Sequence, residues 1–318
     1  YKIMKVCQVH PACGISVPPK GWGAIEQIVW EFHQNLLKLG VESEIKFVED
    51  IQKDEFDVVL CHVHNLAHTL FEKEIPYVYQ LHDHHVYFHG VESEIYKSNQ
   101  KAINNSITSL MPAKYLVDYM DSDKCIYFSH GVNTDIYKQN HLPKSKDLLM
   151  VANNGLGGDQ TYDRKGFGYG IALAQILNTT ITIAGPSNNK HWFNANPWIF
   201  SCKSLTLAFD QTEDELLKLY QTHNIFVHPT MLEAGHPNLT MLEAAACGMP
   251  IIANWELETD FHGAWRAPRD VFKMLNGYYD IKSKRKSYVK QALSTANNLS
   301  WFNRTKDLIK LFNDIKTI

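Results

Sequence analysis

Short, almost wholly apolar runs alternate along this chain with longer stretches in which apolar residues return at helical spacing. In the first half the runs are 4–9 (MKVCQV), 43–48, 57–62, 77–82, 106–111 and 125–129. Runs this short, apolar at successive positions, predict parallel strands covered on both faces. Between the first two, Ala24–Leu39 brings Ile25, Ile28, Val29, Phe32, Leu36 and Leu39 onto one side of a helix that Gly40 ends. A polar, proline-containing stretch, Lys138–Lys146, breaks the rhythm as a linker would. It then restarts with strands at 148–152, 180–185, 205–209, 225–229 and 250–254 and helices at 168–177, 212–221 and 239–247. Thr212 and Glu215 form a capping box that sets the start of the 212–221 helix. The tail, Trp301–Ile315, is amphipathic.

Two consecutive α/β halves predict two Rossmann-like, doubly wound domains facing across a cleft, with the carboxyl edges of both sheets lining it. The expected division is 1–140, 141–300, and a C-terminal helix, 301–318, packing back toward the first domain. Composition narrows the function classes. The 318 residues carry a net charge of −3, so no global basic field recruits nucleic acid or an anionic membrane, although a local basic face such as Lys282–Lys290 stays open. The six cysteines form no CxxC pair and most lie in apolar runs, which predicts reduced, buried thiols and a cytoplasmic protein. No run reaches the ~18 apolar residues of a membrane span, and no secretory leader is visible. Sixteen histidines are scattered without HExxH-type spacing.

The stretch 233–248 (EAGHPNLTMLEAAACG) holds the most chemistry. A strand precedes it and another follows, so the start of the 239–247 helix falls at the carboxyl edge of a parallel sheet, where amides attract a phosphate. Glu233 and Glu243 can grip hydroxyls on either side of that phosphate, the outline of a sugar-nucleotide site. In Pro18–Glu26, Gly21 and Gly23 open a helix whose amides face an anion. Arg164, Lys165 and Gly166 stand at another helix entry, offering two cations and backbone donors to an anion, which the resemblance described next makes a departing diphosphate. His82 ends a strand, followed by Asp83, His84, His85 and His89, and a metal cluster of those four histidines is the weaker reading of this segment.

Taken in order, PPKGWGAIEQ (18–27), FDVVLCH (56–62), YQLHD (79–83), SHGVNTDIY (129–137), RKG (164–166), IAG (183–185) and the 233–248 block resemble the GT-B glycosyltransferases, and among them the retaining, metal-independent glycosyltransferase family 4. The resemblance covers nearly the whole chain. It implies transfer of a sugar from a nucleotide donor, a UDP-sugar first among them, to a hydroxyl, with no other cofactor and no metal. It implies His82, Arg164, Lys165 and Glu233 as catalytic residues, and Gly21, Gly23, Asn153, Gly185, Asn238, Leu239, Thr240 and Glu243 as binders of the nucleotide sugar. Two departures stand out. Asn153 and Asn154 occupy the place where the family often has an arginine, and nine residues separate Glu233 from Glu243 against the family's seven. The acceptor is expected to be a glycan or a small hydroxyl compound. A strand followed by HDH also resembles phage glucosyltransferases, which makes hydroxymethylated DNA the alternative acceptor, with a viral origin and a host-cytoplasmic location. A nucleotide-sugar epimerase of the same fold is the further alternative.

Overall fold

The computed structural model describes residues 3–21, 23–82, 85–140, 143–154, 162–230, 238–254, 261–266 and 269–316. The chain forms two compact units, one made of 1–131 and 299–318, the other of 132–298. Among the described residues each unit holds a six-stranded sheet, and every strand pairing is parallel.

In the first unit the strands are β1 (Lys5–Val9), β2 (Glu42–Lys46), β3 (Val58–Cys61), β4 (Val78–Gln80), β5 (Ser109–Met111) and β6 (Cys125–Tyr127), in spatial order β2-β1-β3-β4-β5-β6. The helices are α1 (Ala24–Lys38), α2 (His64–Glu72), α3 (His85–His89), α4 (Glu94–Asn105) and α5 (Lys114–Tyr119), with α12 (Trp301–Lys316) from the end of the chain. Strand alternation divides the side chains. Cys7, Val9, Val59, Cys61, Tyr77 and Tyr79 face one core, shared with α2 and α4. On the other face Gln8 donates to the Val29 carbonyl of α1 at 3.0 Å, and Phe32 of α1 meets Trp301 edge-on at 5.0 Å. Gly131 makes room for that indole, because a Cβ there would lie 2.6 Å from it.

The second unit contains β7 (Lys146–Val151), β8 (Ile181–Gly185), β9 (Leu205–Phe209), β10 (His223–His228), β11 (Ile251–Ala253) and β12 (Ala264–Arg266), in spatial order β12-β11-β10-β7-β8-β9. Its helices are α6 (Phe167–Leu177), α7 (Lys190–Ala195), α8 (Glu213–Thr222), α9 (Leu239–Ala246), α10 (Val271–Ser283) and α11 (Arg285–Asn298). Leu148, Met150, Ile183 and Val227 pack with Phe167 and Ile171 of α6 and Tyr278 and Ile281 of α10. Each such large apolar side chain contributes roughly 1.5–3 kcal/mol on burial. The expected capping box is present, with Thr212 accepting from the Glu215 amide and the Glu215 carboxylate accepting from the Thr212 amide.

In both sheets the chain winds outward from its first strand in one direction, then returns to wind the other way. The reversals lie between β1 and β3 and between β7 and β10. At such a point the connections leaving two adjacent strands diverge and open a crevice at the carboxyl edge.

The junction between the units falls at 131/132, earlier than the sequence boundary at 140/141. The cause is local packing. Tyr137 meets Tyr220 edge-on, the Lys138 carbonyl accepts from Gln221 at 3.2 Å, and Gln139 covers Gly248. Among the described residues no helix is long and apolar enough to cross a membrane.

Candidate functional site

The crevice of the second sheet is flanked by the connections that follow β7 and β10. The β7–α6 connection is built on side-chain bonds to backbone. The Asn154 amide donates to Asn189 Oδ1 at 2.8 Å, Asn154 Nδ2 donates to the Tyr162 carbonyl at 2.8 Å, and Asn154 Oδ1 accepts from the Lys165 amide at 3.2 Å. Arg164 donates through one terminal nitrogen to the Asn153 carbonyl at 3.2 Å. Gly166 adopts a left-handed conformation (φ 77°), and a Cβ there would lie 2.3 Å from the Pro229 carbonyl oxygen. The two connections therefore touch at the one residue type that permits both the dihedral and the approach.

The backbone donors of this helix entry, expected to face a diphosphate, lie beside an acid of the same chain. Asp163 accepts from the Phe167 amide at 2.7 Å and from the Gly168 amide at 2.8 Å, so the first turn of α6 already has its anion. Burial raises the Asp163 pKa, while those amides and Arg269 oppose the rise. Gly185 also has a packing reason, since a Cβ there would lie 2.2 Å from both the Ala152 carbonyl oxygen and Asn189 Nδ2.

After β10 the chain returns at Asn238 to open α9. Asn238 Oδ1 accepts from the Met241 amide at 3.1 Å and the Thr240 hydroxyl at 3.0 Å, which leaves Nδ2 to donate to His228 Nε2 at 3.0 Å. The buried His228 thus fixes the cap from the end of β10. The amides of Leu239 and Thr240 begin the helix, where the macrodipole is positive.

Glu243, one turn further along α9, is half-buried. Its Oε2 accepts from the Tyr220 hydroxyl at 2.8 Å, and Tyr137 gives a further side-chain bond. Burial pushes its pKa up from 4.5 to about 7, Glu213 adds to the rise, and the two tyrosine hydroxyls oppose it. Glu233 lies outside the described residues, as do His84 and Asp83 and the side chain of His85.

In the first unit Gly21 has a left-handed backbone (φ 93°), and Gly23 caps α1. A Cβ on Gly23 would stand 3.0 Å from Oε2 of the buried Glu26. The opening of α1 therefore already has a carboxylate of its own chain beside it, which the sequence reading did not anticipate. His82, beyond β4, is bonded through both ring nitrogens, to His62 at 3.0 Å and to His130 at 3.2 Å. Among the described residues no group of three or more His, Cys, Asp or Glu is arranged to hold a metal ion.

One residue of the second site escaped the sequence reading altogether. Arg269 donates through Nε to the Pro229 carbonyl at 2.8 Å and through a terminal nitrogen to the carbonyls of Asp163 and, at 3.0 Å, Arg164. Its guanidinium also lies over the Tyr169 ring, 5.0 Å from the centroid. One side chain thus ties together the two connections that flank the crevice. The only signal was a lone arginine between an edge strand and a helix.

No protein-family model and no curated protein matches the chain. Solved structures do match it along its length. Sucrose-phosphate synthase from Thermosynechococcus elongatus has 13% identity and a TM-score of 0.78, covering 98% of this chain and 99% of that one. HepE from Anabaena in complex with UDP-glucose has 12% identity and a TM-score of 0.72 over 98% and 100%. A glycosyltransferase from Rickettsia africae has 14% identity and a TM-score of 0.71 over 99% of each chain. The chain has the GT-B fold, two parallel α/β units of the kind found in these glycosyltransferases.

Proposed function

We propose that the protein transfers a sugar from a nucleoside-diphosphate donor, a UDP-sugar by preference, to a hydroxyl acceptor, with retention of anomeric configuration. The observation that carries this reading is the crevice at the β7/β10 reversal, with Arg164 and Lys165 on one flank and the opening of α9 with Glu243 on the other. The amides of Leu239 and Thr240 and the two cations receive the diphosphate, and Glu243 accepts from the ribose hydroxyls. Cations and amides fixed before the reaction begins stabilise the leaving group's charge without reorganisation, so the reading needs no metal and no cofactor beyond the donor. The acceptor hydroxyl attacks the face of the anomeric carbon from which the diphosphate departs. His82 serves the transferred sugar, and Glu233 contacts the sugar's hydroxyls. The UDP-glucose bound by HepE supports the choice of donor.

A glycan or a small hydroxyl compound is the proposed acceptor. Hydroxymethylated DNA is the second reading, favoured by Arg285, Lys286 and Lys290 along a groove of about 650 Å³ in the second unit that Gln139, Val289, Leu293, Ser294 and Asn297 complete. Binding there would weaken steeply with salt, as phosphate contacts do. The deciding experiment incubates the protein with nucleotide sugars, first alone and then with each acceptor class. Transfer that Lys165→Ala and Glu243→Ala lower by about a hundredfold or more while both variants stay folded supports the proposal. Conversion of the donor with no acceptor present would point to an epimerase, and full activity in either variant would sink the assignment.

A further inference from the structure

Three of the sequence motifs, FDVVLCH, YQLHD and SHGVNTDIY, contain a histidine, and hydrogen bonds join those three histidines in a row. His62 follows β3, His82 follows β4, and His130 lies beyond β6. Gln8 Nε2 donates to the Val29 carbonyl at 3.0 Å, which turns Oε1 toward His62 Nε2 at 3.3 Å. His62 Nδ1 meets His82 Nε2 at 3.0 Å, and His82 Nδ1 meets His130 Nε2 at 3.2 Å. The rings are close to parallel, 20° apart in the first pair and 23° in the second. Gln8, His62 and His130 are all buried. Register explains the shared face, since Gln8 pairs with Leu60 and Leu60 with Val78, and His62 stands two residues and His82 four residues further along on that face.

The donors and acceptors can be assigned in sequence. An amide oxygen only accepts, so His62 carries its proton on Nε2. Burial lowers the His62 pKa to about 3, which keeps the ring neutral and leaves Nδ1 as an acceptor. His82 must then donate from Nε2. Its Nδ1 and Nε2 of His130 share the one proton between them.

We propose that Gln8, His62 and His130 are positioning residues for sugar transfer, holding His82 in a single ring orientation with a proton fixed on Nε2. The inference rests on the glycosyltransferase reading for its consequence, whereas the tautomer order is a property of the folded chain. An imidazole bonded at both ends cannot turn to offer a nitrogen elsewhere without breaking a buried hydrogen bond. His82 is therefore held as an oriented ring rather than as a mobile acid or base.

Two measurements test this. Long-range proton–nitrogen correlation spectra of the ¹⁵N-histidine protein should show pyrrole-like Nε2 and pyridine-like Nδ1 at His62, and a pyrrole-like Nε2 at His82. A pyridine-like Nε2 at His82 would overturn the assignment whether or not the protein proves to transfer sugars. In kinetics, His130→Leu removes the partner of Nδ1 and should lower kcat about a hundredfold with little change in donor KM, as loss of positioning does. His130→Gln places an amide where Nε2 stood and should recover most of that loss. Wild-type kcat in His130→Leu, or a His130→Gln variant as poor as His130→Leu with both melting like wild type, would also overturn the proposal. A wild-type protein that turns over no nucleotide sugar would refute the functional reading and leave the spectra to decide the histidine order.

Discussion

Glu243 offers a prediction in which stability and donor binding move in opposite directions with pH. Its pKa rises from 4.5 to about 7, chiefly through burial. At about 1.4 kcal/mol per pKa unit, holding the carboxylate charged in the fold costs roughly 3 kcal/mol. A raised acid pKa means that the folded chain binds more protons than the unfolded one between pH 4.5 and about 7. The stability this group contributes is therefore full below 4.5, falls as pH rises through that window, and is gone above about 7. Glu243→Gln removes the charge and keeps the shape, so it should raise the melting temperature by about 5 °C at pH 8 and leave it nearly unchanged at pH 4.5. Ribose hydroxyls are donors and favour the carboxylate. Affinity for UDP-glucose, whose diphosphate does not titrate in this range, should therefore drop about tenfold between pH 8 and pH 6. Tyr220→Phe deletes a hydrogen bond that opposes the raised pKa, and should move the midpoint of that profile upward. Isothermal titration calorimetry in two buffers of different ionisation enthalpy would read both the affinity and the proton released. A flat affinity from pH 5.5 to 8, or a Glu243→Gln protein less stable than wild type at pH 8, would refute the reasoning.

Other outcomes follow from the same crevice and from the C-terminal helix. Arg269→Ala should melt earlier by several degrees and bind donor less tightly, because charge-assisted bonds of roughly 1.5–3 kcal/mol each hold the two connections together; unchanged melting would dismiss the tie. Gly166→Ala should lose about 2–4 kcal/mol in urea unfolding, combining left-handed strain with a clash on the Pro229 carbonyl. Lys165→Ala should retain the wild-type melting temperature and lose about a hundredfold to a thousandfold in kcat; a smaller loss would make it a solvated basic turn. Trp301→Ala should destabilise by about 3–5 kcal/mol, since the buried indole fills the space over Phe32 and Gly131.

The second sheet was readable because its strands are apolar on both faces, so 148–152, 180–185, 225–229 and 250–254 stand out from their surroundings. Other elements left fainter marks. Helix α4 sets its stripe of Ile95, Tyr96, Asn99, Ala102 and Ile103 in an otherwise polar segment, and β12 is three residues at a sheet edge. The site divides in the same way. Asn238 and Glu243 sit in one short block whose roles follow from sequence spacing. Arg269 acts on carbonyls 40 and 105 residues away, a relation no local pattern records. Asp163 leaves no such mark either, because its bonds to the Phe167 and Gly168 amides depend on how the turn before α6 folds. The histidine motifs were visible one by one, whereas the bonds between them depend on strand register.

The return of α12 to the first unit makes the chain's route asymmetric. The second unit is one continuous segment, whereas the first is assembled from both ends of the chain. On a ribosome, residues 132–298 can complete their core as soon as they emerge. The first unit waits for Trp301, Leu308 and Phe312 to cover it, and until then its α1 face is the exposed surface a chaperone would meet. A permutant that places 299–318 ahead of residue 3 would remove that wait.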